Sequence, residues 1–125
     1  MCRTQWADEW FRTLETIVLP VIDRTRTENQ RRVRVLLLGS GVDSTHPDIQ
    51  LALEQKKIVK SRGFPDSLDP LEDQVGHGTH GAGVLLRTAP NAAIYVARII
   101  DHAGGMDSIS HHQTIGVYFP LLDPS

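Results

Sequence analysis

Two histidines three residues apart, His77 and His80, sit in a glycine-rich run, Gly76 to Gly83 (GHGTHGAG). An imidazole can take a proton from a nucleophile or lend a ring nitrogen to a metal. The serine mechanism needs a hydroxyl to attack, a histidine to accept its proton and an aspartate to fix the histidine tautomer. Carboxylates stand nearby in sequence at Asp43 and Asp48, and hydroxyls at Ser40, Ser44, Ser61, Ser67, Ser108, Ser110 and Ser125. A zinc reading would draw on His77, His80, His102, His111 and His112, yet no acidic or cysteine ligand stands at a recognised spacing from them. No metal and no cofactor is assigned.

The elements that must position these groups are partly legible. Trp6, Trp10, Leu14, Ile17 and Val18 recur at spacings of four and three, the mark of one helical face. Thr4 suits an N-cap, Asp8 and Glu9 suit the helix dipole, and Pro20 is expected to end the helix. Such a helix either packs on the body of the domain or receives a partner; packing is the expectation. Asp23 to Arg32 is polar throughout and reads as a linker. Val33 to Leu38 (VRVLLL) has the continuous apolar character of a strand buried on both faces of a parallel sheet, and Gly39-Ser40-Gly41 stops it.

Beyond that point, Lys57 to Phe64 is a weaker strand candidate and Pro65 to Gln74 an acidic loop containing proline. Gly78 to Arg87 has helical spacing in Ala82, Leu85 and Leu86; Ala93 to Ile100 (AIYVARII) is a second good strand. Strands alternating with helices predict a doubly wound α/β sheet.

The bulk numbers narrow the function. At 125 residues the chain is about one domain, and 40% hydrophobic with 22% charged residues makes it an ordinary globular one. A net charge of −2 gives no field for nucleic acid or an anionic membrane, and Arg31, Arg32 and Arg34 lack the aromatics of a nucleic-acid surface. Cys2 is the only cysteine, so no internal disulfide can form. The apolar run Ile17 to Ile22 is short and broken by Pro20, so neither a signal peptide nor a membrane span is read here. A cytoplasmic location is expected.

Three blocks then carry a resemblance. Val35 to Asp48 reads VLLLGSGVDSTHPD, Gly76 to Gly83 reads GHGTHGAG, and Ala89 to Ile99 reads APNAAIYVARI. The first resembles the subtilase signature of an apolar strand followed by Asp-Thr/Ser-Gly-Ile/Val-Asp and His-Pro-Asp. The second is similar to the family's Gly-His-Gly-Thr-His-Val-Ala-Gly, and the third to the strand after that helix. The likeness runs from Val33 to about Ile109 in the family's order. It implies a partial subtilase α/β sheet, peptide or protein substrates, and hydrolysis by the serine mechanism with His77 as general base. It divides the chain into a helical extension and linker (1–32), the N-terminal part of a subtilase domain (33–109) and a divergent tail (110–125).

Two departures bear on activity. The aspartate position of the signature holds Gly39, which has no carboxylate; Asp43, four residues on, matches a separate acidic position. The family's nucleophile motif, Gly-Thr-Ser followed by small residues and proline, is not present in the 125 residues, nor is its oxyanion asparagine segment. Ser40 fills the signature's own Thr/Ser slot and is structural. The expectation is a truncated peptidase domain, inactive on its own; the alternative is a pseudo-peptidase acting as a binding or regulatory module. Asp48 resembles a calcium ligand of secreted subtilases, but Leu85-Leu86-Arg87-Thr88 runs straight into Ala89-Pro90 without the loop that completes their site. By resemblance, Gly104 and Gly105 lie near a bound peptide backbone.

Overall fold

A computed structural model describes residues 3–102. Gly104, Gly105 and the tail lie outside the described residues. The chain opens with helix α1 (Arg3–Thr13), a π-helical segment (Leu14–Val18) and helix α2 (Leu19–Thr25). There follow strand β1 (Arg34–Gly39), helix α3 (Pro47–Glu54), strand β2 (Ile58–Gly63), helix α4 (His77–Thr88) and strand β3 (Ala93–Arg98).

The three strands form a parallel sheet in the order β1-β3-β2. Both crossovers carry a helix, as parallel neighbours require. The central strand is β3, and its run AIYVAR is buried at all but one position. Its alternate side chains feed two faces. Ile94 and Val96 join Val42, Ile49, Ala52, Ile58 and Ala82 in the main core, beneath α3 and α4. Ala97 points the other way, into a smaller cluster with Phe64 and Ile99, against which Leu36, Tyr95 and Ile100 pack. The arrangement is the partial α/β sheet expected, with a helical N-terminal extension.

Three local expectations need correction. The strand predicted over Val33 to Leu38 is present one residue later, but it is not buried on both faces: Val33 is 71% and Leu38 43% exposed. Among the described residues β1 is an edge strand, and the doubly covered strand is β3. Pro20 does not end the N-terminal helix. In the π segment the Leu19 N–H reaches back to the Leu14 carbonyl, and Pro20 falls in the first turn of α2. The proline falls where the widened π turn has already broken the regular α-helical ladder, so the missing N–H does not end the helix. The helix therefore begins at Arg3, before Thr4, and takes Asp23 to Thr25 out of the expected linker.

The N-terminal helix does pack on the body, but not through its tryptophans. Phe11 lies 3.9 Å beneath the Arg87 guanidinium, Glu15 pairs with Arg87 at 2.9 Å, and Asp23 accepts from Asn91 at 3.2 Å. Trp6 and Trp10 remain more than half exposed.

Candidate functional site

The site forms where the turn leaving β1 meets the start of α4. Gly39 ends β1 level with Arg98 of β3, and its carbonyl accepts the Ile99 and Ile100 N–H groups at 2.8 and 3.2 Å. Ser40 follows, wholly buried, and its Oγ accepts the Gly78 N–H at 3.0 Å. The chain neighbours of Gly39 and His77 are thus bonded to one another, which draws those two positions together. Two glycines make the approach possible. A Cβ on Gly78 would overlap the Gly41 carbonyl, and one on Gly41, whose φ is +89°, would overlap the Glu72 carbonyl.

The start of α4 is held by a carboxylate from the preceding loop. Asp73 Oδ1 accepts the Val75 and Gly76 N–H groups at 3.0 and 2.8 Å. Its Oδ2 accepts the Thr79 N–H at 2.9 Å and the Thr79 hydroxyl at 2.6 Å. Helix starts leave N–H groups without acceptors, and Gly76 at the N-cap has no side chain to offer them. Partial burial pushes the Asp73 carboxyl upward. The bonds from the Thr79 hydroxyl, the Gly76 and Thr79 amides and the Ser40 hydroxyl outweigh it and hold the group well below the usual carboxylate range. Thr79 Oγ1 in turn accepts the Asp43 N–H at 2.9 Å, so one hydroxyl joins both loops.

His77 stands exposed at the first position of α4. None of the hydrogen bonds found among the described residues reaches its side chain. Asp43 is engaged locally: its Oδ1 accepts the Thr45 N–H at 2.9 Å and hydroxyl at 2.6 Å, and those two bonds hold its carboxyl below the ordinary value. Gly39 has no heavy atom within 4 Å of where a Cβ would stand, so the position is open to a larger side chain. Asp48 is three-quarters exposed, with His46 4.0 Å away. Among the described residues no group of three or more His, Cys, Asp and Glu is placed to hold a metal ion. A cavity of about 700 Å3 lies between α3, α4 and Phe11, bordered by Asp43, His46, Thr79 and His80 but by neither Gly39 nor His77.

Sequence reasoning missed two residues that build this site. Asp73 lay unremarked in the acidic loop; its place four residues before His77, just ahead of a helix start, is the signal that could have found it. Arg98 interrupts an apolar strand and is 2% exposed. Its guanidinium donates to the carbonyls of Asp69, Ile100 and Asp101 at 2.8, 3.2 and 2.9 Å and lies 3.4 Å from the Asp101 carboxylate. A buried charge needs such partners, and these tie the end of β3 to the loop that leads to Asp73.

The sequence has relatives among known proteins. Residues 30–117 match the subtilase family. The chain is 31% identical over 81 residues to subtilisin of Bacillus pumilus, covering 58% of this chain and 27% of that protein. It is 32% identical over 114 residues to an intracellular serine protease of Paenibacillus polymyxa, covering 80% of this chain and 32% of the relative. Thermitase of Thermoactinomyces vulgaris is 31% identical over 81 residues, covering 57% and 27%. The chain spans about a third or less of the length of these relatives. Because that family match covers more than half of the chain, the chain belongs to the subtilase family.

Proposed function

We propose that this chain is the histidine-bearing part of a serine peptidase domain, with His77 as its general base, and that Gly39 leaves this base without the carboxylate that would orient it. The carrying observation is the Ser40–Gly78 bond: it sets the β1 terminus beside the His77 helix while the position next to Ser40 is a glycine with open space around it. A histidine held this way can accept a proton from a hydroxyl brought to it, but its tautomer and its cation receive no support. The 125 residues contain no nucleophile motif, so the chain alone neither hydrolyses peptides nor reacts with serine-directed phosphonates. Peptides or proteins are the substrate class. Relatives named as intracellular serine proteases support a cytoplasmic setting. The sequence similarity runs to peptidases and does not favour the pseudo-peptidase alternative.

The test joins residues 1–109 to the C-terminal part of a relative, restoring the serine and the oxyanion donor. With Gly39 this chimera should be slow; Gly39→Asp should raise kcat about 10⁴-fold, the penalty measured in subtilisin itself when its aspartate alone is removed. KM should change little, because the introduced carboxylate faces the imidazole rather than substrate. A chimera that is fast with Gly39 and is silenced by Asp43→Ala would overturn the assignment.

A further inference from the structure

The N-terminal helix carries a second apolar face that the peptidase reading leaves unused. Trp6 is 62%, Trp10 56%, Ile17 61%, Val18 42% and Val21 48% exposed, although the same helix is anchored to the body through Phe11, Glu15 and Asp23. A groove on this face is lined by Trp6, Glu9, Trp10, Thr13, Leu14 and Val18. The π segment keeps both faces in line. Phe11 and Asp23 are twelve residues apart, which is close to two α turns and one wider π turn of about 4.4 residues. Glu9 and Arg24 are fifteen apart, close to three α turns and one π turn. A purely α-helical segment would rotate Arg24 off the stripe that Glu9 occupies.

That placement selects an occupant. Glu9 flanks the apolar face near one end and Arg24 flanks the same side near the other. Neither has an ion-pair partner among the described residues, while Glu15 and Arg87 are paired. Two copies of the helix, related by a two-fold axis near Thr16 and Ile17 and running antiparallel, put Glu9 of each against Arg24 of the other. Trp10 then comes level with Ile22 and Asp23 of the other copy. The face is self-complementary, as an isologous contact requires. A membrane surface fits less well: between Arg3 and Thr25 there are three arginines against four carboxylates, so no cationic side accompanies the tryptophans.

We infer that the chain self-associates as a two-fold dimer through the tryptophan-bearing face of its N-terminal helix, with Glu9 and Arg24 setting the antiparallel register. The inference does not depend on the peptidase reading. Sedimentation equilibrium on the full 125-residue chain should give a monomer–dimer equilibrium. Glu9→Arg alone should weaken association about tenfold, and adding Arg24→Glu should restore it, because like charges are replaced by a reversed pair. Ile17→Glu sets two carboxylates beside the two-fold axis and should weaken association about a hundredfold. Circular dichroism checks that each variant keeps its helices. A monomer at every concentration overturns the inference. So does a dimer indifferent to Ile17→Glu and to both charge variants, and so does a monomer that sediments with phosphatidylcholine–phosphatidylserine vesicles through Trp6 and Trp10.

Discussion

The junction of β1 with α4 and the seat of the N-terminal helix are both contacts between elements, but different forces hold them. At the junction the backbones touch: Gly78 lies on the Gly41 carbonyl, Ser40 is wholly buried, and both oxygens of Asp73 accept two bonds each. At the helix seat long side chains meet at the surface, and Arg87 and Glu15 remain 50% and 43% exposed. Glycine, serine and a capping carboxylate allow no slack, whereas an exposed arginine can find its partner in several rotamers. The junction positions His77, which as the proposed general base would tolerate little misplacement. The helix seat positions a surface. Substitutions should therefore cost far more at the first than at the second.

The largest stability effect should come from Gly78. Gly78→Ala drives a Cβ into the Gly41 carbonyl and should cost about 3 kcal/mol. Gly83 lies in the same helix with nothing within 4 Å of its missing Cβ. Gly83→Ala should instead stabilise by about 0.5–1 kcal/mol, the ordinary gain of alanine over glycine in a helix. Urea denaturation of the two variants gives opposite shifts in midpoint. Equal shifts would mean that the junction is as yielding as the surface.

Next in size is Asp73. Asp73→Ala leaves the Gly76 and Thr79 N–H groups without their acceptor and should cost about 1–3 kcal/mol. The carboxyl titrates lower in the folded chain than its ordinary 3.8. In acid the unfolded chain therefore binds the extra proton, and stability falls as pH drops below about 4 toward the lowered folded value. Above that range the contribution is fully present. A pH series of thermal melts should show the decline in the wild type and a shallower one in Asp73→Asn. A residual slope is expected from Asp43, whose carboxyl is lowered in the same sense.

These residues also mark what was legible in the sequence. The turn after β1, the α4 helix and the strand expected over Ala93 to Ile100, which ends at Arg98, could be read, because short-range pattern and glycine placement specify them: apolar run, stop, small-residue helix, apolar run. Asp73 could not be weighed from its own segment, since its function comes from meeting Thr79 across a helix start. Arg98 was hidden because a charge in a strand is tolerable only when distant carbonyls receive it. The α3 helix was overlooked, being one of eight residues whose N-cap is His46, where the ring nitrogen accepts the Asp48 N–H. At Pro20 the rule that proline stops a helix assumes an uninterrupted 3.6-residue ladder, and the π segment resets that ladder one residue earlier. The exposure of β1 depends on which strand is central, and sequence order does not state the spatial order.

The smallest effect should be found at the helix seat, and it sharpens the comparison most. Arg87→Met removes the pairing with Glu15 and the cation over the Phe11 ring while keeping an unbranched apolar stem against that ring. Exposed ion pairs contribute about 0.2–1 kcal/mol and an exposed cation–π contact about 0.5–1 kcal/mol. Global stability should thus fall by about 1 kcal/mol or less. The change should be local, because the strands and α4 keep their own hydrogen bonds. Hydrogen exchange should quicken in the amides of α1 and α2 and stay unaltered in β3 and the first turn of α4. Moderate salt should act on the wild type in the same direction, since it screens the exposed Arg87–Glu15 pair, and should have little further effect on Arg87→Met. Faster exchange that spreads into the Gly76–Thr79 turn would show that the two regions are coupled, with the N-terminal helix helping to hold the histidine's helix in place.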